Sequence, residues 1–259
     1  MASHVTLSVM IAIFPFLIFA VSLASMVSSE GSSQAIIDLV FELWPEDIAE
    51  PIVREIEAVV DTSSASFLTV GILLALLFSS NGVEAIRVAL NRAYGDIEGR
   101  SMLRQRLQSL VFVISGAMLL TLISLLLIFA PIYFSFIDLS SAPFYHWTIN
   151  SNLIRELLAF LLLTFVVFAC HRWLPGKRRP LTRIFPGILM TLALWIIAAF
   201  GFSLYIQSFA NYSATYAGLS GIMTALIFLY LMAVILTFGA EYNSALARMT
   251  FHNSQVAER

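Results

Sequence analysis

From Ile184 to Ala240 the chain runs 57 residues without a formal charge. Roughly 20 apolar residues in a helix cross the ~30 Å hydrocarbon layer of a bilayer. The run therefore holds two spans of about 20–25 residues, with about ten residues left over between them. Those left over, within "FANYSATYAG", are rich in hydroxyls. Composition points the same way: hydrophobic residues make up 59% of the 259 and charged ones 12%. A soluble domain of this size carries about 25% charged residues. Mean hydropathy is +0.90, so the solvent this chain is built for is lipid.

Hydrophobic runs predict an all-α fold, a polytopic bundle of six transmembrane helices forming one domain over 1–259. The spans fall at about 5–27, 66–86, 107–134, 153–174, 184–208 and 217–240. The first is too long for a simple signal peptide and lacks a basic start. Pro15 sits in its middle and predicts a kink. The second has a short apolar core, "FLTVGILLALLF", followed by "SSNG". Ser79, Ser80 and Asn81 are thus carried at membrane depth, where they should face other helices or a wet cavity. No internal repeat is evident.

Orientation follows from the 14 Lys and Arg residues. Arg87, Arg92, Arg100, Arg104 and Arg106 follow the second span. Arg172, Lys177, Arg178, Arg179 and Arg183 follow the fourth, and Arg248 and Arg259 the sixth. Only Arg54 and Arg155 fall on the other side. The positive-inside rule then predicts that both termini are cytoplasmic.

The first external loop, 28–65, is acidic: it holds Glu30, Asp38, Glu42, Glu46, Asp47, Glu50, Glu55, Glu57 and Asp61. Apolar residues recur at helical spacing, at Ile36, Val40 and Leu43 and again at Ile48, Ile52, Ile56 and Val59. Two short amphipathic helices are expected there, divided at Trp44-Pro45, as a lid or a solvated cap. The external hairpin leaves two readings open. Tyr212 and Tyr216 suit an interfacial turn, while Ser213 and Thr215 suit the lining of a cavity mouth. At the other end, Glu84 and Arg87 are spaced to pair on one helical face. Asn91 and Arg92 follow them. Glu241 is placed to meet Arg87 or Arg92, as a packing ion pair or as an inner gate or coupling carboxylate.

Four stretches in order along the chain carry a family resemblance: "ASHVTLSVMIAIFPFLIFAVSLA", "SSNGVEAIRVALNRAYG", "FPGILMTLALWIIAAFGFSLYIQSFANYSATYAGLSG" and "FGAEYNSAL". Together they resemble the YihY / virulence factor BrkB family of bacterial inner-membrane proteins. The resemblance implies six transmembrane helices and an inner-membrane location. It implies no settled activity, since the family has been labelled both ribonuclease BN and a group of transport or virulence factors. Relatives usually carry some tens of residues ahead of the part that resembles "ASHVTLS", so a truncated or misassigned start is expected here.

The same sequence argues against several chemistries. His4, His146, His171 and His252 stand singly, and Cys170 is the lone cysteine, so no cofactor or metal site is expected. "GLSG" lacks the lysine and helix-opening context of a phosphate loop. Nine of the sixteen acids lie in the external loop, which disfavours metal-assisted RNA cleavage on the cytoplasmic side. The expectation is a non-enzymatic protein with membrane lipid as a partner and no nucleic acid. Its function is transport or handling of a small solute or lipid. The alternative is a structural, envelope-assembly role.

Overall fold

The computed structural model describes residues 2–27, 37–38, 41, 49–50, 53–54, 65–136, 153–209 and 219–257. Among them there is no strand, and six long helices follow in order: α1 (Ala2–Val27), α2 (Ala65–Tyr94), α3 (Met102–Phe136), α4 (Leu153–Trp173), α5 (Leu181–Phe209) and α6 (Leu219–Ala257). Five carry stretches long and apolar enough to cross a membrane: Leu73–Tyr94, Met102–Leu126, Glu156–Trp173, Leu181–Tyr205 and Met223–Met249. In α1 the corresponding apolar stretch is shorter, Ala2–Leu17. Their outer faces are apolar, as contact with lipid tails demands: Phe200 is 69% exposed, Ile197 66% and Leu122 64%.

The helix that holds the expected second span, 66–86, runs beyond it. The helix continues unbroken to Tyr94, so "VEAIRVALNRAY" belongs to it. It stops at Gly95, whose φ of 69° is left-handed. The Gly95 N–H bonds the Arg92 carbonyl at 3.1 Å and the Asp96 N–H reaches back to the Asn91 carbonyl at 2.7 Å. This paired closure at a left-handed residue satisfies two orphan carbonyls and suits glycine.

The chain divides into two compact units. One comprises residues 1–10, 81–108 and 164–259, the other 11–80 and 109–163. In the second, Ile123 of α3 packs on Ala159 and Leu162 of α4. In the first, Val5 of α1, Ala89 of α2 and Ala233 of α6 bury one another. Here α5 and α6 approach closely. The Trp195 indole N–H bonds the Met232 carbonyl at 3.1 Å, and the Phe202 and Phe228 rings lie 5.2 Å apart.

Candidate functional site

The polar residues of the first unit assemble where ends of α2, α3, α4 and α5 meet two short loops, 95–101 and 174–180, against the turn of α6 that carries Asn243. Arg87 is 1% exposed. Its guanidinium donates to Glu84 at 2.8 Å, to the Gln105 carbonyl at 2.9 Å and to the Gln105 side chain at 3.0 Å. Glu98 stands 3.8 Å away. A buried guanidinium keeps its charge only if partners replace its water, and these do.

Glu98 is the hub of the first loop. It accepts from Arg100 at 2.7 and 2.8 Å and from the Asn91 amide at 2.9 Å. The Arg100 side chain above all, helped by its backbone N–H and by Asn91, holds the Glu98 carboxyl at about 2, below its ordinary 4.5 and against the upward pull of partial burial. Because the folded value is depressed, this link stabilises fully above pH 4.5 and is lost as pH falls through 2. The melting temperature of the solubilised wild type should therefore drop more steeply between those two values than that of Glu98→Gln. Parallel curves would show that the link contributes nothing.

The same groups cap α4. Arg100 donates to the Leu174 carbonyl at 2.8 Å, and the Gln108 amide donates to the Trp173 carbonyl. The last carbonyls of a helix have no partner of their own. On the second loop the Gly176 N–H bonds the Asn91 carbonyl oxygen of the side chain at 2.7 Å. Arg179 grips Asp96 with two bonds of 2.8 and 2.9 Å and lies 3.9 Å over the Tyr94 ring.

Beneath this layer runs a neutral chain. The Tyr94 hydroxyl meets His171 Nδ1 at 2.7 Å and accepts from the Asn243 amide at 3.1 Å. If the hydroxyl donates to Nδ1, the ring proton is on Nε2; if Nδ1 donates, Nε2 is a bare acceptor. His171 is 1% exposed, and its Nε2 has no partner among the described residues. Asn243 also accepts from the Gly187 N–H at 2.6 Å and donates to the Ile184 carbonyl at 3.0 Å. These backbone groups flank Pro186, which lies inside α5. A proline removes one helix bond and pushes on the carbonyl four residues back. Asn243 of α6 gives the Gly187 N–H, next to that proline, a partner outside its own helix.

The residues singled out from sequence are distributed as follows. Glu84, Arg87 and Asn91 belong to this network. The Ser79 hydroxyl donates to the Ala12 carbonyl at 3.4 Å and the Ser80 hydroxyl to Leu77 at 2.7 Å. Both are buried and spend their hydroxyl protons on backbone. The Asn81 side-chain oxygen accepts from Arg106 at 2.7 Å. Tyr212, Ser213, Thr215 and Tyr216 lie outside the described residues, as does most of the acidic loop.

The expected ion pair from Glu241 to Arg87 or Arg92 does not form. On a helix of 3.6 residues per turn, Arg87 and Arg92 point about 140° apart. Arg87 turns to α3 and the 95–101 loop. Arg92 and Glu241 border one cleft without pairing. Sequence reading also missed Asp96, Glu98, Arg100, Arg179, His171 and Asn243 as a set. Their only signal is density: two polar, turn-forming loops, "GDIEGRS" and "LPGKRRP", each next to an apolar helix.

Apolar helices with lipid-facing sides, closed at one end by buried polar pairs, define a polytopic helical membrane protein. The chain matches the model of the virulence factor BrkB family over residues 1–259, and it belongs to that family. It is 30% identical over 245 residues, 92% of this chain and 86% of the relative, to the ribonuclease-like protein YfkH of Bacillus subtilis. It is 29% identical over 250 residues to a UPF0761 membrane protein of Alkalilimnicola ehrlichii, covering 95% of this chain but 54% of that longer one. A UPF0761 membrane protein of Coxiella burnetii is 33% identical over 86 residues, 33% of this chain and 31% of that protein. No solved structure matches.

Proposed function

We propose that this is a six-span protein of the bacterial inner membrane, with both termini in the cytoplasm, that moves or handles a small solute or a lipid. The observation that carries the reading is the Tyr94–His171–Asn243 chain, buried at one end of helices apolar enough to span a bilayer. Buried polar groups in membrane helices concentrate on substrate or proton pathways. For the sixth span, α1 has 26 residues, about 39 Å at 1.5 Å per residue. For amphipathic helices in the acidic loop, Ile37, Ala49 and Val53 are buried while Phe41, Glu50 and Arg54 are exposed.

The test is purification from native membranes followed by mass spectrometry of co-purifying lipids and solutes. One class enriched over the bulk membrane is the expected result, and bulk composition would overturn the reading. For orientation, Ser63→Cys and Ala142→Cys should react with an impermeant maleimide in intact cells, while Arg178→Cys and Ser254→Cys should not. Cys170 is buried and gives little background. Reaction at Arg178→Cys would reverse the topology.

A structural, envelope-assembly role is the second reading. It is favoured by the self-satisfied Ser79 and Ser80 and by the tight Gly187–Gly239 contact. Nuclease chemistry has less support. Asp96 and Glu98 are both paired with arginines, which offsets the negative charge that would draw a metal ion. The reading is therefore a non-enzymatic protein whose partner is membrane lipid, with no nucleic acid.

A further inference from the structure

We propose that the cleft at Arg92 and Glu241 binds a zwitterionic group, its anionic end on the guanidinium and its ammonium on the carboxylate. The cleft has a volume of about 220 Å³ and is lined by Ala89, Arg92 and Ala93 of α2 and by Thr237 and Glu241 of α6. At roughly 30 Å³ per water, that is room for about seven waters, or for a small headgroup.

Charge pairing elsewhere in the unit makes this cleft distinctive. Arg87 pairs with Glu84, Arg100 with Glu98 and Arg179 with Asp96. Arg92 and Glu241 carry opposite charges on the walls of one cleft, and both are exposed. Neither side chain makes an ion pair or hydrogen bond among the described residues. Two small residues, Ala89 and Ala93, lie one turn apart on the α2 side and keep the space open. The Thr237 hydroxyl donates to the Ala233 and Val234 carbonyls of its own helix at 3.0 and 2.8 Å, so its oxygen retains acceptor capacity.

A ligand of one sign would meet one favourable and one repulsive wall. A zwitterion satisfies both, with the fork of the guanidinium suited to a phosphate or carboxylate. Arg92 lies two residues from the end of the Leu73–Tyr94 stretch, a depth where lipid headgroups and dissolved solutes both have access. The chemistry required is an ammonium a few atoms from an anion. A phosphoethanolamine lipid and a free amino acid both supply it.

This names the ligand class for the handling reading above and rests on it, but the test measures binding and no flux. The full chain is purified in detergent or in nanodiscs. Affinities are measured for phosphatidylethanolamine, for anionic phosphatidylglycerol, and for soluble alanine. At least one zwitterion should bind more tightly than phosphatidylglycerol. Arg92→Gln and Glu241→Gln should each weaken it about tenfold, one charge-assisted bond's worth. Arg92→Lys and Glu241→Asp should retain most of the binding. The charge swap Arg92→Glu with Glu241→Arg separates the sources. Alanine can turn round and should bind the swapped cleft, whereas a lipid phosphate is tethered to its acyl chains and should not. Zwitterion affinities unchanged in both Gln variants would overturn the proposal, as would phosphatidylglycerol binding at least as tightly as both zwitterions. Zwitterion binding here with bulk composition in the native-membrane preparation would instead count against the handling reading and leave the cleft standing.

Discussion

Gly187→Ala should largely prevent stable folding. A Cβ at this position would lie 2.2 Å from the Gly239 carbonyl oxygen and 2.3 Å from the Asn243 amide nitrogen. The first is backbone of a neighbouring helix, and the second donates two hydrogen bonds, to Tyr94 and to the Ile184 carbonyl, besides the bond the same side chain accepts from Gly187. Close helix contacts in membranes rely on such small residues. Overpacking costs roughly 1–3 kcal/mol and sometimes more, and displacing Asn243 would strand the Gly187 N–H and Ile184 carbonyl at roughly 1–3 kcal/mol each. Gly239→Ala should be comparably harmful, because its Cβ would lie 2.0 Å from Thr191 Oγ1 and 2.7 Å from the Gly187 carbonyl oxygen. The control is Gly201→Ala on the same helix, where a Cβ meets nothing within 4 Å. There the change should stabilise by up to about 1 kcal/mol through helix propensity. Thermal unfolding in detergent compares them. Equal midpoints for Gly187→Ala and Gly201→Ala would mean that α5 and α6 do not touch here.

Arg179→Leu should have the second-largest effect. The Asp96 side chain is only 3% exposed, and its two short bonds to Arg179 are its main compensation. Removing one partner of a buried ion pair costs roughly 3–5 kcal/mol, because the other charge stays buried. The cation over the Tyr94 ring is lost as well, worth roughly 0.5–2 kcal/mol. Adding Asp96→Asn to Arg179→Leu should recover part of the loss, since no stranded carboxylate remains. A double-mutant cycle on midpoint or denaturant stability measures the coupling. Simple addition of the two single losses would show that Asp96 and Arg179 act independently.

The two predictions rest on contacts of different sequence range from those that were legible beforehand. Glu84 and Arg87 are three residues apart on one helix, and helical spacing alone brings them together. The neutral and ionic contacts of the site join Asn91 to Gly176, Asp96 to Arg179, Tyr94 to His171 and Gly187 to Asn243. Their members are 56 to 85 residues apart. Reaching across that distance depends on how each helix is rotated about its axis. Glu241 illustrates the difficulty: its height along α6 was readable from the rise per residue, but not the face of α2 it would meet. Arg87 was already committed to α3, and only Arg92 shares its cleft. Likewise Ser79 and Ser80 lie in an apolar helix, where Ser79 faces another helix through the Ala12 carbonyl and Ser80 turns back to Leu77 of its own.

By itself the sequence determined the class of molecule: all-helical, lipid-facing, and a member of the BrkB family by motifs spread over its length. The reason is that bilayer thickness and backbone hydrogen bonding constrain apolar segments locally, residue by residue. Only the tertiary structure decided that "LNRAYGDIEGR", "CHRWLPGKRRP", "FPG" and "GAEYN" form one polar layer. Side chains there choose partners by the rotation and close approach of packed helices, and glycines at 187 and 239 and a proline at 186 set that approach. No local pattern encodes such a choice, because the partners that join these four stretches lie on different helices and loops.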